Sequence, residues 1–450
     1  MFKKKHVKPE ATFGEVFKQG DLATKLSFFL MGIAQLKNKQ GLKGLVFLAT
    51  EIIFLLWLIS SGLVAISLLG NLGAVKTKQV VFDEAQGVYV TKLPDNSMII
   101  LLFGVIALLS IIMMVILYRV ALRSTRHLYV LNRDGKHIPT TMEDLASLLD
   151  KRLHATLMLV PLLGILVFTV APLFFMVALA FTNYSGQHGI GFSWTGLQAF
   201  GQIFSGDYAA AFMPIILWTL IWAICATSTT FLFGVLLAML IESKGIKFKA
   251  FWRTLFVIVF AIPQFVSLLM MSQMLDDSGP VNTFLLSHHL IASKIPFLTD
   301  PIFAKITVIG VNMWIGIPVS MLITTAIIQN LPQDQIEAAR IDGASIFQIF
   351  RNITFPQILF VMMPSLIQQF IGNINNFGVI FLLTGGGPNT DSTLANVQAG
   401  TTDLLITWLY KLNMNSYSYN VASAIGIVMF ILTATFSLIA YRRTNTFKEA

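Results

Sequence analysis

Neutral amides set inside long apolar runs are the residues of this sequence whose types and spacing suit chemistry. Gln369, Asn373 and Asn376 stand at i, i+4 and i+7, one face of a helix, with Gly372 beside them. Asn312 lies in another apolar run and is followed by Trp314, Gly316 and Pro318. A primary amide carries both a donor and an acceptor, so it pairs with a sugar hydroxyl without burying a charge. Trp314 offers an apolar face on which a sugar ring could lie. The same amides also serve as hydrogen-bonded links between transmembrane helices. Spacing alone leaves both readings open.

The chemistry that is missing narrows the field. No G-x-x-x-x-G-K-[ST] pattern occurs, and Gly385-Gly386-Gly387-Pro388, which lacks the Lys, reads as a turn closing the run before it. Seven His and one Cys form neither a metal-ligand spacing nor a nucleophile–base pair, so no catalytic residue and no metal site is expected. Cys225 sits alone in an apolar run and reads as a buried structural thiol. Glu51 is the one charge inside these runs, close enough to an end to lie near the interface or to pair with a neighbour. Proton-coupled carriers need ionisable groups within the membrane, which disfavours that class. A sodium site built of Asn and backbone carbonyls stays open.

The elements that must position the amides are membrane spans. Apolar residues make up 55% of the 450 and charged residues 12%, with a mean hydropathy of +0.74. Soluble chains carry roughly 25% charged residues. Eight apolar runs, at 45–69, 98–118, 155–181, 212–241, 254–275, 306–328, 357–383 and 421–441, each reach the roughly 20 residues a bilayer requires. The expected fold class is an all-α polytopic membrane protein. With the N-terminus inside, 25 of the 31 Lys and Arg fall on inner segments. Both ends are then cytoplasmic, and the net charge of +9 reports topology rather than nucleic acid.

Three regions follow. Residues 1–44 form a cytoplasmic segment whose basic start (Lys3, Lys4, Lys5, Lys8) is followed by no apolar stretch for tens of residues, so no cleavable signal peptide is expected. Within it, 13–37 reads as an amphipathic helix, at the interface or packed on the protein itself. Residues 45–154 hold two accessory spans and a connector with a turn at Asn132–Gly135 and a helix over Met142–Leu149. Residues 155–450 form a core of six spans. The outer segments 70–97, 182–211, 276–305 and 384–420 are too short for a separate recognition domain, so any such domain belongs to another chain.

One cytoplasmic loop, 329–357, stands out. Glu337-Ala338-Ala339-Arg340-Ile341-Asp342-Gly343 continues to Ile353-Thr354-Phe355-Pro356. The pattern predicts two short helical pieces broken at Gly343 and stopped at Pro356, an ordered surface on which another protein docks. Its fixed positions resemble the EAA loop of binding-protein-dependent ABC importer permeases: E-A-A, three residues, Gly, nine residues, Ile, one residue, Leu-Pro. Phe355 replaces the Leu. Asn312–Gly316, Asn375–Phe377, Leu383–Pro388 and Thr402–Tyr410 are similar to the maltose/maltodextrin subgroup, in its larger, MalF-type membrane subunit, from about residue 155 onward.

The resemblance implies a type I ABC importer transmembrane domain working with a second permease subunit. Two copies of a cytoplasmic ATPase would bind the ATP and Mg, so this chain itself binds no cofactor. An extracellular sugar-binding protein would deliver maltose or maltodextrin. Coupling to the ATPase would fall to Glu337, Ala338, Ala339, Asp342, Gly343, Ile353 and Pro356. The sugar would meet Asn312, Ile315, Gly316, Val319, Gln369, Gly372, Asn373 and Asn376. Val319 and Gly372 stand where the best-known member has aromatic residues, and Gln369 replaces a Ser, which implies a roomier site for longer glucans or another sugar. An external insertion after the third span is absent, which implies a lipid-anchored binding protein. The rival expectations are an importer for another oligosaccharide, an ion-coupled secondary sugar transporter and a non-transporting scaffold.

Overall fold

The computed structural model describes residues 11–443 apart from 85–86, 244 and 390–391; the basic Lys3–Lys8 stretch and residues 444–450 lie outside them. Contacts divide the chain into two units, one up to Thr195 and one from Gly196. The third span thus groups with the first two, whereas the sequence assigned it to the core beginning at 155.

In the first unit, α1 (Phe13–Gln19), α2 (Leu22–Leu26) and α3 (Ile33–Lys37) replace the single amphipathic helix expected over 13–37. Thr12 and Glu15 form a capping box on α1, and Asp21 caps α2 after an extended Gly20. Gly32, at φ +94°, then turns the chain back onto the first span, α4 (Gly41–Leu69). A Cβ on Gly32 would lie 2.2 Å from the Gly44 carbonyl oxygen, so only glycine permits this approach. Glu51 finds its partner here: its carboxylate accepts the Met31 N–H at 2.6 Å.

The outer segment after α4 folds as an antiparallel hairpin, β1 (Gln79–Asp83) on β2 (Val88–Lys92), with Val81 opposite Val90. Its β-branched content favours strand over helix, a local exception to an all-α chain. The second span, α5 (Ser97–Arg133), runs about four turns past its apolar part to the turn at Gly135, φ +61°. The connector helix α6 (Thr141–Leu149) is capped by Thr140 and Glu143. The third span is α7 (Leu153–Leu179).

The second unit is built on α8 (Gly206–Glu242) and α11 (Pro301–Asn330), which meet through small residues. A Cβ on Gly234 would come within 2.4 Å of Ser320 Cβ, and one on Gly316 within 2.7 Å of Thr230 Cγ2. Close approach of this kind is how membrane helices gain packing without a hydrophobic driving force between them. Between these two helices, the expected span 254–275 is not one helix. It is a pair, α9 (Lys249–Ala261) and α10 (Gln264–Met274), meeting at 89°. Pro263 explains the break: it forces Ile262 into the extended region (φ −100°, ψ 128°) and has no N–H to continue a helix.

Seven described helices are thus long and apolar enough to cross a membrane, and the bent pair would make an eighth crossing.

Candidate functional site

After α11 the loop helix α12 (Gln333–Ile341) ends in a Schellman turn. The Ala344 N–H reaches the Ala339 carbonyl at 2.9 Å and the Gly343 N–H reaches Arg340 at 3.0 Å, with Gly343 at φ +79°. Gly343 breaks the loop where the sequence placed the break. Ser345 and Gln348 then form a capping box that opens the next helix, α13 (Ile346–Ile374). Pro356 does not stop it, contrary to expectation. A π-turn over Phe350–Thr354 widens the backbone just ahead of the proline, relieving the ring's clash with the preceding turn.

Around this hairpin Glu337, Ala338, Asp342, Gly343 and Pro356 are exposed, while Ala339 and Ile353 are half-buried. Gln357 Nε2 donates to Gln335 Oε1 at 2.8 Å, tying the base of α13 to α12. The tip presents Ile341 (86% exposed), Ile346 (85%) and Phe347 (67%). Sequence reasoning noticed the E-A-A residues and passed over these three, although an exposed apolar cluster at a helix–turn–helix tip is what a partner would cover.

At the other end α13 stops at Ile374, and a short helix, α14 (Phe377–Leu383), restarts after Asn375 and Asn376. The seventh run is therefore two helices, and the three amides do not share one continuous face. Asn375 Nδ2 donates to the Ile371 carbonyl at 3.0 Å, and Asn376 Oδ1 accepts the Val379 N–H at 3.2 Å as the cap of α14. The Asn376 side chain takes an N–H that a continuous helix would have paired, while the Asn375 side chain adds a second donor to a carbonyl that its own N–H already reaches at 3.2 Å.

The eight expected sugar residues separate into two groups. Asn373 is buried and turned to α8, where its Nδ2 donates to Thr227 Oγ1 at 3.0 Å; its backbone carbonyl accepts from Trp222 Nε1, also at 3.0 Å. Gly316 packs on Thr230, and Ile315 packs against an apolar cluster that includes Trp218, Trp222, Leu268, Val308, Val379 and Ile380. These three sit in helix contacts. Asn312 and Asn376 do come together, with Nδ2 of Asn376 at 3.5 Å from Oδ1 of Asn312, the outer limit of a hydrogen bond. Gly372 and Val319 are exposed and Gln369 is half-buried; a Cβ on Gly372 would meet nothing within 4 Å. The partners Trp222 and Thr227 went unnoticed in the sequence. The run Thr227-Ser228-Thr229-Thr230 within an apolar span was their signal.

Beyond α14 the chain folds back through the triglycine turn, where Gly385 and Gly386 hold φ of +60° and +83°. Fully buried Asp403 accepts from the Lys411 ammonium and from the Gly400 N–H, each at 2.7 Å. Burial pushes its carboxyl above the usual carboxylate range against the pull of Lys411. A Cβ on Gly386 would lie 1.9 Å from Asp403 Oδ1, so the glycine lets the turn close over the ion pair. Lys411 belongs to α15 (Leu405–Met414), and α16 (Tyr419–Arg443) is the last span.

Residues 230–446 match the family model described as binding-protein-dependent transport system inner membrane component. The chain is 32% identical to the maltodextrin transport system permease protein MalC of Streptococcus pneumoniae, over 96% of this chain and 97% of that protein. It is 33% identical to the galactooligosaccharides transport system permease protein GanP of Bacillus subtilis, over 93% and 96%. Its fold is similar to that of a bacterial ABC transporter involved in the import of the acidic polysaccharide alginate, at a TM-score of 0.56 and 22% identity, covering 67% of this chain and 98% of that one. Relatives matched over nearly their whole length at this identity, a family match that takes in the last span and the shared fold agree: the chain belongs to the family of inner membrane components of binding-protein-dependent transport systems, and is an ABC importer permease.

Proposed function

We propose that this permease carries maltodextrins across the membrane for an ATP-driven importer. An extracellular binding protein, lipid-anchored on the outer surface, hands over the sugar. A second permease completes the path, and two copies of a cytoplasmic ATPase bind ATP and Mg and drive it. The distribution of Lys and Arg supports cytoplasmic termini and a cytoplasmic α12–α13 hairpin. The observation that carries the reading is that hairpin: a Schellman-closed helix ending in exposed Ile341, Ile346 and Phe347. Glu337, Ala338, Ala339, Asp342, Gly343, Ile353 and Pro356 belong to the same element.

On the sugar side, the Asn312–Asn376 pair supplies donors and acceptors at the break between α13 and α14, next to open space at Gly372. Exposed Val319 and half-buried Gln369 are assigned to the same site. Asn373, Gly316 and Ile315 support the site from behind. A second reading, galacto-oligosaccharides, is supported by the similarity to GanP, 33% identical against 32% for MalC.

The test is reconstitution in liposomes with the second permease, the ATPase and the binding protein. Maltodextrin uptake that needs every partner and ATP is the expected result. Uptake by this chain alone under an ion gradient would overturn the importer reading. Preference for galacto-oligosaccharides would change the substrate and keep the mechanism.

A further inference from the structure

Aromatic rings gather directly beside the amide pair. Phe377, the residue after Asn376, stacks on Phe381 one turn along α14, at 4.7 Å between centroids and 21° between planes. Tyr410 of α15 sets its ring edge-on to both, at 5.0 Å from Phe377 and 5.2 Å from Phe381. The opposite face of α14 is spent on packing: Val379, Ile380 and Leu383 are buried in the apolar cluster. The aromatic face is not. Phe377 and Phe381 are half-buried, Tyr410 is 37% exposed, and a Cβ on Gly378 would meet nothing within 4 Å.

The rings are held in place. The Leu405 N–H donates to Thr219 Oγ1 at 3.1 Å, and fully buried Trp408 donates through Nε1 to the Val397 carbonyl at 2.9 Å. The Asp403–Lys411 pair fastens the residue next to Tyr410. An aromatic surface fixed in this way needs no ordering when a ligand arrives. Sites for small ligands combine such surfaces with a few placed polar groups; here Asn376, which reaches Asn312, directly precedes Phe377, and Tyr410 brings its own hydroxyl.

We infer that Phe377, Phe381 and Tyr410 form a second sugar subsite, an aromatic wall on which the next ring of an oligosaccharide lies while Asn312 and Asn376 hold the first. The inference rests on the permease reading above and adds chain length to it: the wall rewards glucans longer than maltose. Sugar rings present C–H faces that suit aromatic surfaces, and their rim hydroxyls suit the phenol of Tyr410. The wall also supplies aromatic surface to a site whose Val319 and Gly372 offer none.

The experiment uses the reconstituted importer with its binding protein, and reads the ratio of maltoheptaose to maltose uptake. In Phe381→Leu the ratio falls about tenfold. Tyr410→Phe keeps the ring and its packing and removes only the hydroxyl; there the ratio falls roughly threefold. Equal loss for both sugars would overturn the subsite and make the rings a packing surface, for instance for the second permease. An unchanged ratio in both variants overturns it too. A wild-type importer that takes up neither glucan fails the permease reading itself, a result separate from any change in ratio.

Discussion

The Asn373 side chain is hydrogen-bonded to the Thr227 hydroxyl at 3.0 Å, and both groups are buried between α13 and α8. Asn373→Ala leaves that hydroxyl without its donor. It should cost about 1–3 kcal/mol, read as a lower unfolding midpoint of the purified protein. Thr227→Val should cost a similar amount, and the double variant less than the sum of the two. Sugar preference should not change. An Asn373→Ala protein of full stability with altered preference would return Asn373 to the sugar site.

Asn376 holds two offices at once, capping α14 through Oδ1 and facing Asn312 through Nδ2. Substitution can separate them. Asn376→Ser retains a capping oxygen and loses the amide, so stability should stay within about 0.5 kcal/mol of wild type. Maltodextrin uptake should still fall about tenfold, the size of a lost hydrogen bond to the sugar. Asn376→Ala should lose uptake and about 1 kcal/mol of stability together. Normal uptake by the Ser variant would leave Asn376 a cap and nothing more.

At the tip of the α12–α13 hairpin, Ile346→Ser with Phe347→Ser removes apolar surface that the isolated chain leaves bare. Folding should be untouched. Binding of the ATPase should weaken by ~1.5–3 kcal/mol for each side chain that docking buries, measured by titrating ATPase onto the permease in detergent. Glu337→Lys should permit assembly and abolish stimulation of ATP hydrolysis by sugar-loaded binding protein. Undiminished stimulation in all these variants would remove the hairpin from the coupling role.

Asp403→Ala strands a nearly buried Lys411 ammonium. Breaking such a pair from one side costs about 3–5 kcal/mol, and it should appear as increased protease sensitivity of the 384–416 segment. Asp403→Leu with Lys411→Met should recover most of that loss, because no lone charge remains. A double variant as damaged as the single one would show that the geometry around Gly386, and not the charge pair, holds this turn.

The spans were legible because their hydrophobic runs are long, and the break at Gly343 because a left-handed position there favours glycine. What stayed hidden was decided by local hydrogen bonding. Asn375 and Asn376 look like two more polar residues on a helix face until their side chains are seen to pair with Ile371 and Val379. Pro263 and Pro356 are alike in the sequence. One ends a helix and the other is carried through by a π-turn, a choice made by the surrounding backbone rather than by the proline. Asn312 and Asn376 were legible as a pair by type; Asn373, of the same type, faces Thr227 because α8 passes on that side.

The π-turn at Phe350–Thr354 has a mechanical consequence. By carrying the helix past Pro356 it joins the hairpin tip and the amide break into one strut of 29 residues, Ile346–Ile374, roughly 43 Å long at 1.5 Å per residue. Ile346 and Phe347 are its lower end and Asn376 stands just past its upper end. A thrust delivered by an ATPase against the lower end would arrive at Asn376 and its partner Asn312 along a single piece, with the joint between Ile374 and Phe377 left to flex.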